Sequence, residues 1–131
     1  MKHVVAALIV RKGRLLICQR TKLQPMPLKW EFPGGKIEAG ELPAEALRRE
    51  LQEELGIDAI IGDEVACLEH QYVGGSVLEL RFFLVYEWQG EIDNRIFQTL
   101  RWARRGDLPH YDFLEADRRL VEDIAAGKLI G

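Results

Sequence analysis

Apolar residues fall along this chain in blocks whose spacing predicts strands and two helices. His3 to Arg11 is rich in Val, Ile and Ala with little alternation, the pattern of a strand buried on both faces. Lys12-Gly13 reads as a turn and Arg14 to Gln19 as a second strand, so the two form a hairpin. Thr21 to Lys29 is a polar loop with two prolines, and Gln24 to Lys29 could cover a neighbouring site as a lid. Trp30-Glu31-Phe32 is a short extended piece that stops at Pro33-Gly34-Gly35. Pro43 to Leu55 is the clearest helix: Pro43 suits the first turn, and Gly56 suits the left-handed position past the end. Ala44, Leu47, Leu51 and Leu55 form its core-facing stripe. Glu64 to Tyr72 and Val77 to Trp88 read as strands, with Gly74-Gly75 between them for a second hairpin. A short strand around Leu100 to Ala103 follows, then a helix from about Glu115 to Ala126 closed by Gly127. This order suggests a mixed sheet with helices packed on it.

The length of 131 residues fits one domain, 1–131, able to fold without disulfides or structural zinc. The longest uncharged apolar run, Val4 to Val10, is far below the ~20 residues of a membrane span. Arg11, Lys12 and Arg14 follow it with no small-residue cleavage site, which argues against a signal peptide. Cys18 and Cys67 each lie in an apolar segment and read as buried thiols of a reduced, cytoplasmic protein. The net charge of −3 argues against duplex nucleic acid as a partner.

Glu50, Glu53 and Glu54 stand at i, i+3 and i+4, so they share one helix face beside the leucine stripe. Ala46 precedes them by one turn and, being small, leaves that face open. Like charges at this spacing cost about 0.2–0.5 kcal/mol per pair in an isolated helix. Arg49 can reach Glu45 and Glu53, but it is one cation among several anions. A solvated charged face is one reading of a lone cluster of this kind. A hard divalent cation, Mg2+ or Mn2+, is the other.

The preceding residues favour the second reading. Gly35, five residues, Glu41, seven residues, and then Arg49-Glu50-Leu51-Gln52-Glu53-Glu54-Leu55-Gly56-Ile57 match the Nudix box at each fixed position, over 35–57. The chain resembles the Nudix hydrolases, and Trp30 to Glu38 (WEFPGGKIE) is similar to the MutT-like branch. The resemblance implies an α/β fold, the Nudix α/β/α sandwich with a central mixed sheet. It implies Mg2+-dependent hydrolysis of nucleoside triphosphates to monophosphate and pyrophosphate, with Mn2+ as the alternative ion. The partner is then a small-molecule nucleotide, with no membrane, and the enzyme a monomer or homodimer. An oxidised purine nucleotide such as 8-oxo-dGTP is the leading substrate, and CTP or a modified dCTP the second. An ADP-ribose or dinucleoside polyphosphate pyrophosphatase and a non-catalytic binding module are further alternatives.

On this resemblance Glu50 and Glu54 are the primary metal ligands, completed by the backbone carbonyl of Gly34. Glu53 joins them or serves as general base, and Arg49 orients the carboxylates. Glu41 fixes the loop, while Gly34, Gly35 and Gly40 permit its tight path. Lys36 and Arg20 face the phosphates. Phe32 lines the base site or packs in the core; Asp117 hydrogen-bonds the base or caps the last helix. One departure leaves the number of metals open. Some relatives carry an acid before the tryptophan of the late strand, but Arg101 precedes Trp102 here, with Asp93 and Glu91 as the nearby acids.

Overall fold

The computed structural model describes residues 1–72 and 74–130. Its frame is a seven-stranded mixed sheet built around the first strand, β1 (Lys2–Arg11). Lys12 and Gly13 both take positive φ, 52° and 75°, and turn the chain into β2 (Arg14–Gln19). Two central residues of this hand match the twist of a two-residue hairpin. The order β3-β2-β1-β7-β6 runs through β3 (Trp30–Glu31), β6 (Glu64–Gln71) and β7 (Val77–Val85). β4 (Gly34–Lys36) pairs antiparallel with Val4–Ala6 of β1, and β9 (Thr99–Arg104) pairs antiparallel with β2. β7 runs parallel to β1 and antiparallel to β6.

β1 alternates between two cores, as a central strand buried on both faces must. Val5, Ala7 and Ile9 face a cluster with Leu47, Leu51 and Leu55 of the helix α1 (Pro43–Leu55). Ala6 and Leu8 face a second cluster with Leu120, Val121 and Ile124 of α2 (Arg118–Ala125). The three layers make the α/β/α sandwich.

α1 has the bounds its sequence predicts, and Gly56 ends it with φ 68°. Its buried face is rotated from expectation. Ala46 is fully buried in place of Ala44, which is exposed. The helix lies close against the glycines of β4, so a small residue is needed where an open face was expected. Glu45 accepts a hydrogen bond from the Leu42 amide at 2.9 Å, capping the helix start rather than meeting Arg49. The long strand expected from Val77 to Trp88 breaks at Tyr86. Glu87–Gln89 forms β8, which pairs with β5 (Asp58–Ile60) in a separate two-stranded sheet. The last helix is preceded by a separate 3-10 turn over Glu115–Asp117. Cys18 is buried, but Cys67 is exposed: β6 is the last strand in the sheet order and Cys67 points away from the α2-side core.

Candidate active site

The chain from β3 to β4 passes between two parts of the sheet. The Ala7 amide donates to Pro33 O at 2.8 Å and pins this crossing to β1. Gly34 and Gly35 are required where it meets its neighbours. A Cβ on Gly34 would collide with the Val5 carbonyl and stand 2.7 Å from Ala6 Cα. A Cβ on Gly35 would stand 2.5 and 2.6 Å from the carboxylate oxygens of Glu50. The missing side chain is the space the Glu50 carboxylate occupies. Gly40, at φ 83°, turns the loop on its way to α1.

Arg49 gathers the acidic groups. It donates from Nε and Nη2 to the two oxygens of Glu41 at 2.8 and 2.9 Å, and from Nη1 to Glu50 at 2.9 Å. Nη1 is also 3.4 Å from Glu53, and Nη2 donates to Lys36 O at 3.1 Å. Glu41 in turn accepts from the Glu38 amide at 2.9 Å, which ties the loop to itself. Arg49 holds the Glu41 carboxyl down, at about 2.

Glu54 lies deeper and is bonded by the Gly34 amide N–H at 3.1 Å. Burial, reinforced by the charge of Glu50, pushes its carboxyl up to about 8. Burial raises Glu50 too, against the pull of Arg49. Carboxylates lifted by desolvation and by each other are stabilised in ionised form by a cation. The donor set is hard oxygen, so these residues fit a divalent metal of the Mg2+ type. Among the described residues no three acidic, His or Cys groups form a ready cage.

A cavity of about 250 Å³ joins these groups to the remaining expected residues. Arg20, Phe32, Gly34, Gly35, Lys36, Glu54 and Asp117 all line it, as do Gln24 and Met26 from the 21–29 loop. Arg20 donates to Glu31 at 3.1 Å and from Nε to Pro25 O at 2.9 Å. Phe32 packs in the core, as one of its two readings has it, and also borders the cavity. Its ring lies 5.3 Å from Phe113 and 6.2 Å from Phe82.

Asp117 sits at the start of α2 but makes no capping hydrogen bond. It is 3% exposed, and burial together with the charge of Glu31 pushes it up to about 8. Its place is set by a distant stitch: the Trp30 amide donates to Asp112 O and the Leu114 amide to Trp30 O, both at 2.9 Å.

Two polar cavity residues lacked a signal in the sequence. Glu31 is the carboxylate that acts on Glu54, Asp117 and Cys18 and pairs with Arg20. Tyr72 lines the wall near Asp117. Of the acids weighed for the late strand, Asp93 pairs with Arg95 at 3.3 Å beside the C-terminal end of α1, and Glu91 is exposed. Arg101 stacks over Trp30, 5.7 Å from its ring centre.

The NUDIX domain family model matches residues 1–124. The chain is 37% identical over 126 residues to the CTP pyrophosphohydrolase of Escherichia coli K12, covering 96% of this chain and 93% of that one. It is 37% identical over 119 residues to the 8-oxo-dGTP diphosphatase of Haemophilus influenzae, covering 89% and 87%. The crystal structure of a MutT NUDIX hydrolase from Burkholderia pseudomallei superposes with a TM-score of 0.83 at 30% identity, covering 92% and 95%. With an intact acidic helix on the sandwich that these relatives share, the chain belongs to the Nudix family and is a MutT-like Nudix hydrolase.

Proposed function

We propose that this hydrolase cleaves nucleoside triphosphates to the monophosphate and pyrophosphate with Mg2+, and that an oxidised purine nucleotide such as 8-oxo-dGTP is its preferred substrate. The observation that carries this reading is the shared cavity. Phe32 and the buried Asp117 line the same space as Glu54, so base recognition and phosphate chemistry are contiguous. A protonated Asp117 carboxyl can donate to a base acceptor, and an ionised one can accept from ring N–H groups.

Glu50 and Glu54 would hold the metal, with the backbone of Gly34 beside them. Such an ion would supply neutralisation of phosphate charge and a more acidic bound water. Glu53 is the most exposed of the three glutamates, at 58%, and takes the proton of the attacking water, with Arg49 3.4 Å away to offset its charge beforehand. Arg49 and Glu41 orient the carboxylates, and Gly35 and Gly40 shape the loop. Arg20 keeps Nη2 outside its bonds to Glu31 and Pro25 and turns it to a phosphate oxygen; the exposed Lys36 reaches another. The net charge of −3 suits free nucleotides rather than duplexes, and no described helix is long and apolar enough to cross a membrane. We place the enzyme in the cytoplasm, as a single domain acting as a monomer or homodimer.

A cytidine nucleotide is the second reading, favoured by the 37% identity to a CTP pyrophosphohydrolase. A pyrophosphate-release panel with Mg2+ separates the two. It compares 8-oxo-dGTP, dGTP, CTP, dCTP, 5-methyl-dCTP and ADP-ribose by kcat/KM. The highest value for 8-oxo-dGTP supports the proposal. The highest value for a cytidine nucleotide replaces its substrate, and preferred cleavage of ADP-ribose overturns it.

A further inference from the structure

We propose that the hairpin end of the sheet carries a second anion site, distinct from the catalytic cavity, for a compact polyphosphate such as pyrophosphate or tripolyphosphate. Arg11 of β1 stands directly opposite Arg14 of β2, and Arg14 directly opposite Arg104 of β9. Residues opposite each other share a face, so three adjacent strands carry one row of arginine positions. With strands about 4.8 Å apart, the row spans about 10 Å.

Like charges directly opposite one another are destabilising. All three arginines are exposed, and no salt bridge joins any of them to a carboxylate among the described residues. The chain as a whole is acidic, at −3, so this cationic row is a local accumulation. Arg20, Arg48, Arg49, Arg81, Arg95 and Arg118 each meet an acid, whereas Arg101 lies over Trp30 and Arg105 bonds the Ile130 carbonyl.

Arg11 is also preorganised. Its guanidinium lies 4.4 Å from the centre of the Trp102 ring and 5.9 Å from that of Trp88, and the two rings stack at 6.3 Å with planes 19° apart. Stacking fixes the guanidinium plane and leaves its edge for oxygen acceptors. A cavity of about 760 Å³ opens at the same end of the sheet; Lys12, Arg14, Arg104 and Arg105 line it, with Val10, Leu15 and Ile130 from the α2 side, while Arg11 stands outside it over Trp102. Bidentate guanidinium contacts favour phosphate oxygens.

The site is not an extension of the catalytic one. Val5, at the catalytic cavity, lies six residues back along β1 from Arg11, about 20 Å at strand rise. A short row on an acidic protein suits a compact, densely charged anion better than a long polynucleotide, which would also meet the repelling remainder of the surface.

The test uses the whole chain in EDTA, titrated with sodium tripolyphosphate while thermal unfolding and tryptophan fluorescence are recorded. The wild type is expected to gain Tm and to change its emission, because Trp88 and Trp102 hold Arg11. The Arg14→Gln/Arg104→Gln variant is expected to bind at least about tenfold more weakly, the scale of lost charge-assisted contacts. Its unliganded Tm should equal or exceed that of the wild type, and its initial rate of nucleotide hydrolysis should be unchanged. Should the double variant fail to fold, Arg14→Gln alone carries the same expectation. Glu54→Gln should keep the full response, which separates this site from the catalytic reading. An unchanged response in the arginine variants, a response lost in Glu54→Gln, or no response in the wild type overturns the proposal. So does binding of a thymidine oligonucleotide without binding of tripolyphosphate.

Discussion

Glu41 and Arg49 form a two-point pair, with Nε and Nη2 of the arginine 2.8 and 2.9 Å from the two oxygens of the glutamate. Glu41 stands in the loop before α1 and Arg49 on the helix itself, so the pair fixes which way the arginine turns. Its Nη1 is thereby directed to Glu50. Glu41→Gln breaks one of the two points and loosens Arg49 among the acidic groups. Steady-state kinetics with Mg2+ should show activity reduced about 10- to 100-fold, as when an outer-shell partner of a metal site is lost. The pair also has a pH signature. The folded carboxyl lies at about 2 against its ordinary 4.5, so its contribution is present above 4.5 and is lost as pH falls towards 2. Full activity in the variant would show that Arg49 is held by its other partners.

Glu50 and Glu54 should be much less replaceable. Glu50→Gln or Glu54→Gln is expected to lower kcat by about 100-fold or more, the scale set by removal of a central electrostatic group. Titration of Mg2+ against thermal stability supplies a second readout, because ligand loss should blunt the stabilisation. A variant with wild-type turnover and wild-type response to Mg2+ would remove that glutamate from the site.

Asp117 predicts a pH dependence of stability with a definite sign. Its carboxyl stands at about 8 in the folded chain against an ordinary 3.8. The folded state therefore holds the proton more tightly. The stabilising contribution is complete below 3.8 and drains away as pH rises towards 8. Asp117→Asn keeps the shape and removes the titration. Thermal unfolding without nucleotide should show the variant gaining on the wild type more at pH 8 than at pH 5. Parallel curves would contradict the buried carboxyl.

Base choice is a separate matter. Asp117→Ala should change the ratio of kcat/KM between purine and pyrimidine triphosphates more than it changes hydrolysis of the best substrate. A preserved ratio would remove Asp117 from base recognition.

The two cysteines should react differently. Cys67 is exposed, whereas Cys18 is buried and its thiol is pushed up by that burial. A thiol-colour reagent should therefore titrate one group quickly in the native protein and the second only on unfolding. Equal rates for both would show that β2 opens readily.

What the sequence made legible follows locality. The Lys12-Gly13 turn, the bounds of α1 and the acidic face are set by residues within a few positions of each other, and each stands where its spacing placed it. Ala44 and Ala46 exchanged roles because the rotation of α1 depends on the glycines of β4, which its own periodicity does not encode. Cys67 was misplaced because its segment is apolar enough for a core strand but lies last in the sheet order. Glu31 escaped notice because its importance comes from Arg20, Glu54 and Asp117, which only the fold brings round it. The positioning of Asp117 was likewise invisible: β3 is two residues long and is held by backbone bonds from residues some eighty positions later.

The alternation of β1 bears on how the gene can lengthen. Successive residues of this strand enter opposite cores, and three of them, Val4 to Ala6, line the catalytic cavity. One inserted residue upstream of the Lys12-Gly13 turn would exchange the two sets of side chains and carry the floor of the cavity with them. The 21–29 loop has no such parity to preserve, and each doubling of a flexible loop costs only about 0.6 kcal/mol in closure entropy. Length variation among descendants of this chain should therefore collect at the loop that borders the cavity, where new residues alter what the cavity admits while the acidic face of α1 stays in register.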